Sequence, residues 1–221
     1  MSFPIACILV VVEAFLLGSI PFGLIIGKLG YGKDPRDGGS GSIGATNMKR
    51  LFGWKACIGT FVGDVGKGAL AVAVARFIAT FVVFEFGWQF DVLLVLGIVC
   101  SIFGHVFCPW LGFRGGKGIS TGLGSIFVGY PLVVLCMLAT FIVVAFLSKR
   151  ISAGSICAAL SFPIFSYVFC GLNVPLLVVS VVVAVGVTFA HRGNIKRMIN
   201  GTEPKFSFSD KKDDDAEGSQ R

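Results

Sequence analysis

Charge is what this chain lacks. It carries 19 Lys/Arg and 12 Asp/Glu in 221 residues, and these are crowded. Thirteen fall in residues 191–221 and eight in residues 28–55, which leaves ten for everything else. Ten charges cannot coat a water-facing surface, since about a quarter of the residues of an ordinary globular protein are charged. A hydrophobic content of 55% excludes a disordered chain as well. The remaining class is an all-α, polytopic integral membrane protein whose net charge of +7 lies in its loops.

Apolar runs at Phe3–Gly27, 56–84, 92–111, 118–148, 151–170 and 174–190 suggest six spans. The first is too long for a signal-peptide core and lacks the basic segment that precedes one. Six spans break the rule that loop Lys/Arg stay in the cytoplasm. With the N-terminus outside they export nine Lys/Arg, and with it inside they export eight. The run 118–148 resolves the conflict. As a single helix it would be about 46 Å long, well beyond a hydrocarbon core of about 30 Å. Gly129-Tyr130-Pro131 interrupts it, and a chain that reverses there leaves no loop Lys/Arg outside. The expected topology is seven spans with the N-terminus outside and the C-terminus cytoplasmic. Residues 1–205 then form the membrane domain, and 206–221 form a charged, disordered cytoplasmic tail.

Seven cysteines, an odd number with no C-x-x-C pair, lie mostly within apolar runs, and the only histidines are His105 and His191. Neither a disulfide framework nor a metal cluster is indicated. No organic cofactor or nucleic-acid partner is called for either.

Three polar segments carry the chemistry. The first, Gly38 to Arg50, contains Ser40, Gly41, Thr46 and Asn47. Its formal G-x-G-x-x-G is not a dinucleotide fingerprint, because no βαβ unit surrounds it. Consecutive small residues can aim backbone N–H groups at an anion, with Arg50 adding donors. The same composition equally suits a flexible cytoplasmic loop. The second segment, Gly104-His105 followed by Gly112 to Thr121, contains a cationic Gly-rich turn with Gly116 and Lys117. It fails as a P-loop, because Gly118 follows the lysine, and its G-x-S-x-G lacks the sheet of a nucleophile elbow. A phosphate suits such a turn at a helix N-terminus. The third runs from His191 to Lys205. A basic juxtamembrane helix accounts for Arg192, Lys196 and Arg197 but not for His191 and Asn194, which share a face with Ile195. Ser152, just after Lys149-Arg150, could cap a helix or donate to a ligand. Asp64 and Lys67, i and i+3 in an apolar run, suit a structural ion pair near the interface, although intramembrane charges are functional suspects.

As an ordered set, Ser40–Arg50, Gly112–Thr121 and His191–Glu203 closely resemble the motifs of the bacterial acyl-phosphate:glycerol-3-phosphate acyltransferases, the PlsY family. Gly18-Ser19-Ile20-Pro21-Phe22-Gly23, Asp64-x-x-Lys67-Gly68 and Gly104-His105-x-Phe107 are further family-like stretches. Ser42 departs from the Asn usual there. The resemblance implies an inner-membrane enzyme with a cytoplasmic active site. Its reaction moves an acyl chain from acyl phosphate to the 1-hydroxyl of sn-glycerol 3-phosphate, giving lysophosphatidate and phosphate. It also implies functional roles for Ser40, Arg50, Lys117, Ser152, His191 and Asn194, with Gly41, Thr46, Asn47, Gly116 and Glu203 in the same substrate-binding motifs.

The residues agree with that chemistry at several points. Two phosphorylated substrates suit a basic face, and an acyl phosphate is already activated, so a covalent enzyme intermediate is unnecessary. The H-x-x-x-x-D motif of the other large acyltransferase class is missing, since the fifth residue after His105 is Trp110 and after His191 is Lys196. Either His191 or the donor phosphate takes the hydroxyl proton. A transporter or exchanger of a small organic phosphate is the alternative, and it should show inverted repeats, which this sequence lacks.

Overall fold

A computed structural model describes residues 1–206, and these are helical with no β-strand among them. The tail expected to be disordered lies outside the described residues except for Phe206. Ten α-helices follow one another: α1 (Phe3–Gly18), α2 (Phe22–Tyr31), α3 (Ala45–Phe52), α4 (Trp54–Ala79), α5 (Trp88–Val106), α6 (Ile119–Gly129), α7 (Pro131–Ser148), α8 (Ile151–Cys170), α9 (Val174–Ala190) and α10 (Arg192–Ile199). Short 3-10 turns at Pro35–Asp37 and Pro109–Leu111 lie in the polar connections.

The breaks follow local chemistry. Proline sits in the first turn of α1, α7 and α9, where a missing N–H costs nothing. The expected interruption at 129–131 is real: α6 ends at Gly129 and α7 starts at Pro131. Five segments are long and apolar enough to cross a bilayer, with α1 and α2 counted together. A sixth arises if α9 and α10, bent by 57°, are taken as a pair. We read α9 alone as the span and α10 as lying beyond it. The short apolar helix α6 has 11 residues, about 16 Å of rise, and cannot reach across by itself.

Small residues let these helices approach closely. A Cβ on Gly68 of α4 would stand 2.1 Å from the Thr121 carbonyl oxygen, and one on Gly124 of α6 would stand 2.0 Å from that of Val65. The two glycines therefore admit each other's helix backbone, as is common where no hydrophobic force drives association. A central apolar cluster around Ile98, Phe162 and Leu176 joins α5, α8 and α9. Outward-facing side chains such as Phe146, Leu147 and Val185 are exposed and apolar, as a lipid-facing surface requires.

Because α6 follows directly on the turn that bears Lys117, the α4–α6 contact also fixes that turn. Gly68→Val is expected to lower the unfolding midpoint in detergent by several degrees, since overpacking costs about 1–3 kcal/mol, and to reduce activity with it. Gly66→Val, on the exposed side of the same helix with nothing within 4 Å of its Cβ position, should leave both unchanged.

Candidate active site

The first polar segment is folded by one side chain. Asn47, 2% exposed, accepts the Ser40 amide at 2.8 Å and donates to the carbonyls of Pro35 and Ser42, both at 2.8 Å. This staples the loop over the start of α3. Gly39 is in the left-handed region (φ +60°), and a Cβ there would meet the Asn47 amide oxygen at 2.3 Å. Asp34 pins the base of the loop by accepting from the Arg36 guanidinium at 2.7 and 3.0 Å, which holds its carboxyl down at about 2. Ser40, Thr46 and Arg50 then border a cavity of about 980 Å³, Thr46 and Arg50 one turn apart on α3.

The other polar segments reach the same cavity. Lys117 precedes α6, Ser152 lies in the first turn of α8, and His191 and Asn194 flank the bend into α10; all four line it. First-turn residues of four helices (α3, α6, α8 and α10) thus border one space, an arrangement that favours an anion. Part of the wall is apolar, formed by Ile58, Phe61, Ile119, Phe141 and Ile151.

Glu203 ties these pieces together. Its Oε1 accepts from Asn194 Nδ2 at 2.6 Å and Ser152 Oγ at 2.7 Å, while Oε2 accepts from Arg197 Nε at 2.7 Å. Burial alone would raise its pKa, but these three donors hold it below the ordinary carboxylate value. The Asn194 Oδ1 left over accepts from Lys117 Nζ at 2.5 Å. Burial pushes the Lys117 ammonium down to about 8; Glu203 opposes this, and Arg197 and Arg50 reinforce it.

His191, 2% exposed, donates Nδ1–H to the Val187 carbonyl at 2.8 Å. That bond leaves the Nε2 lone pair available. Burial, and then the Lys117 charge, lower its pKa to about 4, so the ring is neutral near pH 7.

Of the residues singled out in the sequence, Ser40, Thr46, Asn47, Arg50, Lys117, Ser152, His191, Asn194 and Glu203 meet at this cavity. Gly41 and Gly116 do not line it. Gly41 supplies a left-handed turn (φ +66°), and Gly116 packs on the His105 ring. Asn47 and Glu203 spend their polar atoms on the protein itself, which makes them organisers of the site. Ser42 accepts the Gly44 amide at 3.2 Å, a local turn that needs no asparagine. Arg197 was explained by its charge alone in the sequence, and Asp64 and His105 stood outside the three motifs; the last two also line the cavity. The charged pair in an apolar run pointed to Asp64, and the family-like stretches pointed to both.

The family model "Glycerol-3-phosphate acyltransferase" matches residues 8–201. Glycerol-3-phosphate acyltransferases of Fusobacterium nucleatum (39% identical, covering 90% of this chain and 97% of that one) and Clostridioides difficile (40%, covering 90% and 95%) align nearly end to end.

The chain belongs to the glycerol-3-phosphate acyltransferase family.

The crystal structure of PlsY, an integral membrane glycerol 3-phosphate acyltransferase, in its glycerol 3-phosphate form superposes with a TM-score of 0.81 at 33% identity, covering 91% of this chain and 96% of that one. Its lysophosphatidic acid form gives 0.76 at the same identity, covering 91% and 95%. This chain is accordingly an integral membrane acyltransferase of the PlsY type, and the transporter alternative finds no support.

The Glu203 arrangement generates a test. In Glu203→Gln an amide nitrogen must face either Arg197 or the Ser152–Asn194 pair, and a buried hydrogen bond to a charged group is worth about 1.5–3 kcal/mol. Its unfolding midpoint in detergent should fall, and kcat/KM should drop at least about tenfold, while Lys196→Gln on the exposed face of α10 should change neither.

Proposed function

We propose that this chain transfers an acyl group from acyl phosphate to the 1-hydroxyl of sn-glycerol 3-phosphate, releasing 1-acylglycerol 3-phosphate and inorganic phosphate, at the cytoplasmic face of the bacterial inner membrane. One observation carries the reading: Arg50 and Lys117 share a cavity with the hydroxyl-bearing Ser40 and Ser152, with the neutral His191, and with an apolar wall. Two phosphates, an alcohol and a lipid chain find their complements there. Lys33 and Lys205 border it too, a grouping of basic residues at one end that favours placing this end in the cytoplasm.

Arg50 and Lys117 hold the phosphate groups and stabilise the charge that gathers on the carbonyl oxygen and the leaving phosphate. Ser40 and Ser152 supply directional donors. His191 Nε2 accepts the glycerol hydroxyl and aims its oxygen at the acyl carbon. The hydroxyl oxygen forms the new ester bond, the carbon–oxygen bond to phosphate breaks, and the hydroxyl proton leaves on the departing phosphate. Basicity supports that last assignment. A phosphate group has its second ionisation at about pH 6, whereas His191 in the empty site stands at about 4 with no charge partner bonded to its Nδ1. The donor's own phosphate is the stronger base, and His191 orients.

Acceptor-dependent release of inorganic phosphate from palmitoyl phosphate by the purified protein tests the reading, and release that ignores glycerol 3-phosphate overturns it. His191→Gln should keep measurable turnover, reduced about 100-fold. Complete loss with normal binding of both substrates would move the proton to His191. The pH profile reports on Lys117, which is charged below about 8 in the empty site and neutral above it. On that basis kcat/KM should fall as pH rises through 8 to 9, and the fall should be absent in Lys117→Arg, whose guanidinium stays charged.

A further inference from the structure

In the cavity wall, which Asp64 and His105 help to line, three ionisable side chains from two helices form a cluster that the proposed chemistry leaves unused. Asp64, Lys67 and His105 are 1%, 4% and 4% exposed. Lys67 Nζ lies 2.8 Å from Asp64 Oδ1, donates to the Ile20 carbonyl at 2.7 Å and reaches His105 Nδ1 at 2.8 Å. An ammonium only donates, so Nδ1 accepts and the His105 proton sits on Nε2. Lys67 thereby ties the ring to the break between α1 and α2 by two hydrogen bonds and to Asp64 on α4 by an ion pair.

The other edge of that ring carries the Lys117 turn. The Gly115 and Gly116 amides donate to the Val106 and His105 carbonyls at 2.9 and 3.1 Å, docking the turn on the end of α5. A Cβ on Gly115 would stand 1.9 Å from the His105 carbonyl oxygen, and one on Gly116 would stand 2.1 Å from His105 Nε2. Glycine therefore lets the turn lie directly on the histidine, one residue before Lys117. A buried ion pair does little for net stability, because desolvation offsets its attraction. Its hydrogen bonds do fix direction, and here they fix the surface that seats a turn.

We infer that Asp64, Lys67 and His105 are positioning residues for Lys117, with the His105 ring as the seat that sets where the ammonium enters the cavity. The inference rests on Lys117 acting in the reaction proposed above. Misplacing a catalytic group by about 1 Å can cost on the order of 100-fold, so a loosened seat should be felt in kcat/KM and on the same kinetic parameter that a Lys117 substitution affects.

A double-mutant cycle separates positioning from general support. Wild type, His105→Ala, Lys117→Met and the double variant are each checked for a cooperative unfolding transition in detergent. Each is then assayed for phosphate release from palmitoyl phosphate and glycerol 3-phosphate, with enzyme in excess so that slow residual rates register. Calorimetric titration with glycerol 3-phosphate completes the cycle if turnover is undetectable. His105→Ala is expected to lose about twentyfold beside Lys117 but no more than about threefold in the Lys117→Met background. Equal losses in both backgrounds overturn the inference. Wild-type activity of Lys117→Met instead removes Lys117 from the site, and with it the premise, so the two failures are distinguishable. If His105→Ala does not fold, Asp64→Asn/Lys67→Met, which removes both charges together, takes its place in the cycle. Failure of both to fold assigns the cluster to stability alone and overturns the inference.

Discussion

A single carboxylate holds the cavity end of this molecule together. Glu203 receives donors from Ser152 on α8 and from Asn194 and Arg197 on α10, and Asn194 passes the constraint on to Lys117. Elements separated by long stretches of chain are thus set against one another within hydrogen-bond tolerance. The carboxylate also balances charge. Without a buried anion, Lys117, Arg197 and Arg50 would repel one another across the cavity, and the protein would pay for an empty site that is ready for phosphate. Glu203 supplies the counter-charge from below while its own oxygens stay occupied, so it does not compete with the substrate.

The fold was legible where bilayer physics leaves few choices. Scarce charge required membrane helices, and Gly129-Tyr130-Pro131 marked the division of a run too long for one crossing, which is where α6 gives way to α7. The Asp64–Lys67 pairing also followed from helical spacing. Less legible was how α6 is accommodated. An 11-residue helix makes sense only beside the close α4 contact at Gly68 and Gly124, and hydropathy does not reveal which glycines face which backbone. Phe206 likewise looked like the start of a solvated tail, yet its ring packs edge-to-face on Trp54 and its amide donates to Lys149.

For the site, residue chemistry and the family resemblance together named most of the participants but not always their direction. Arg50 and Lys117 could be picked out because basic groups in Gly-rich turns suit phosphate, while roles for Ser152, His191 and Asn194 came from the family resemblance; all five share one cavity. Asn47 and Glu203 belong to the same motifs, yet their polar atoms point into the protein, one stapling a loop and the other joining helices. Composition and spacing cannot separate a side chain that meets a ligand from one that holds its neighbour, because both need polar atoms in the same place. His105 was harder still: its connection to Lys117 runs through backbone amides and a ring face, and neither leaves a periodic signal.

The protonation pattern of the empty cavity follows from these constraints and bears directly on the chemistry. Low dielectric and adjacent cations depress both Lys117 and His191, but with different consequences. The lysine, at about 8, remains largely cationic near neutral pH, and a bound phosphate would stabilise its charge further. The histidine, at about 4, is held neutral with its proton committed to Val187, which leaves Nε2 able to accept a hydrogen bond but poor at keeping a proton. Placing a carboxylate on Nδ1 would make His191 a stronger base, and the protein places a backbone carbonyl there. The carboxylate that is available, Glu203, is spent on Ser152, Asn194 and Arg197. A site arranged this way invests its negative charge in holding cations for phosphate, and that investment fits a reaction whose leaving group can carry away the proton itself.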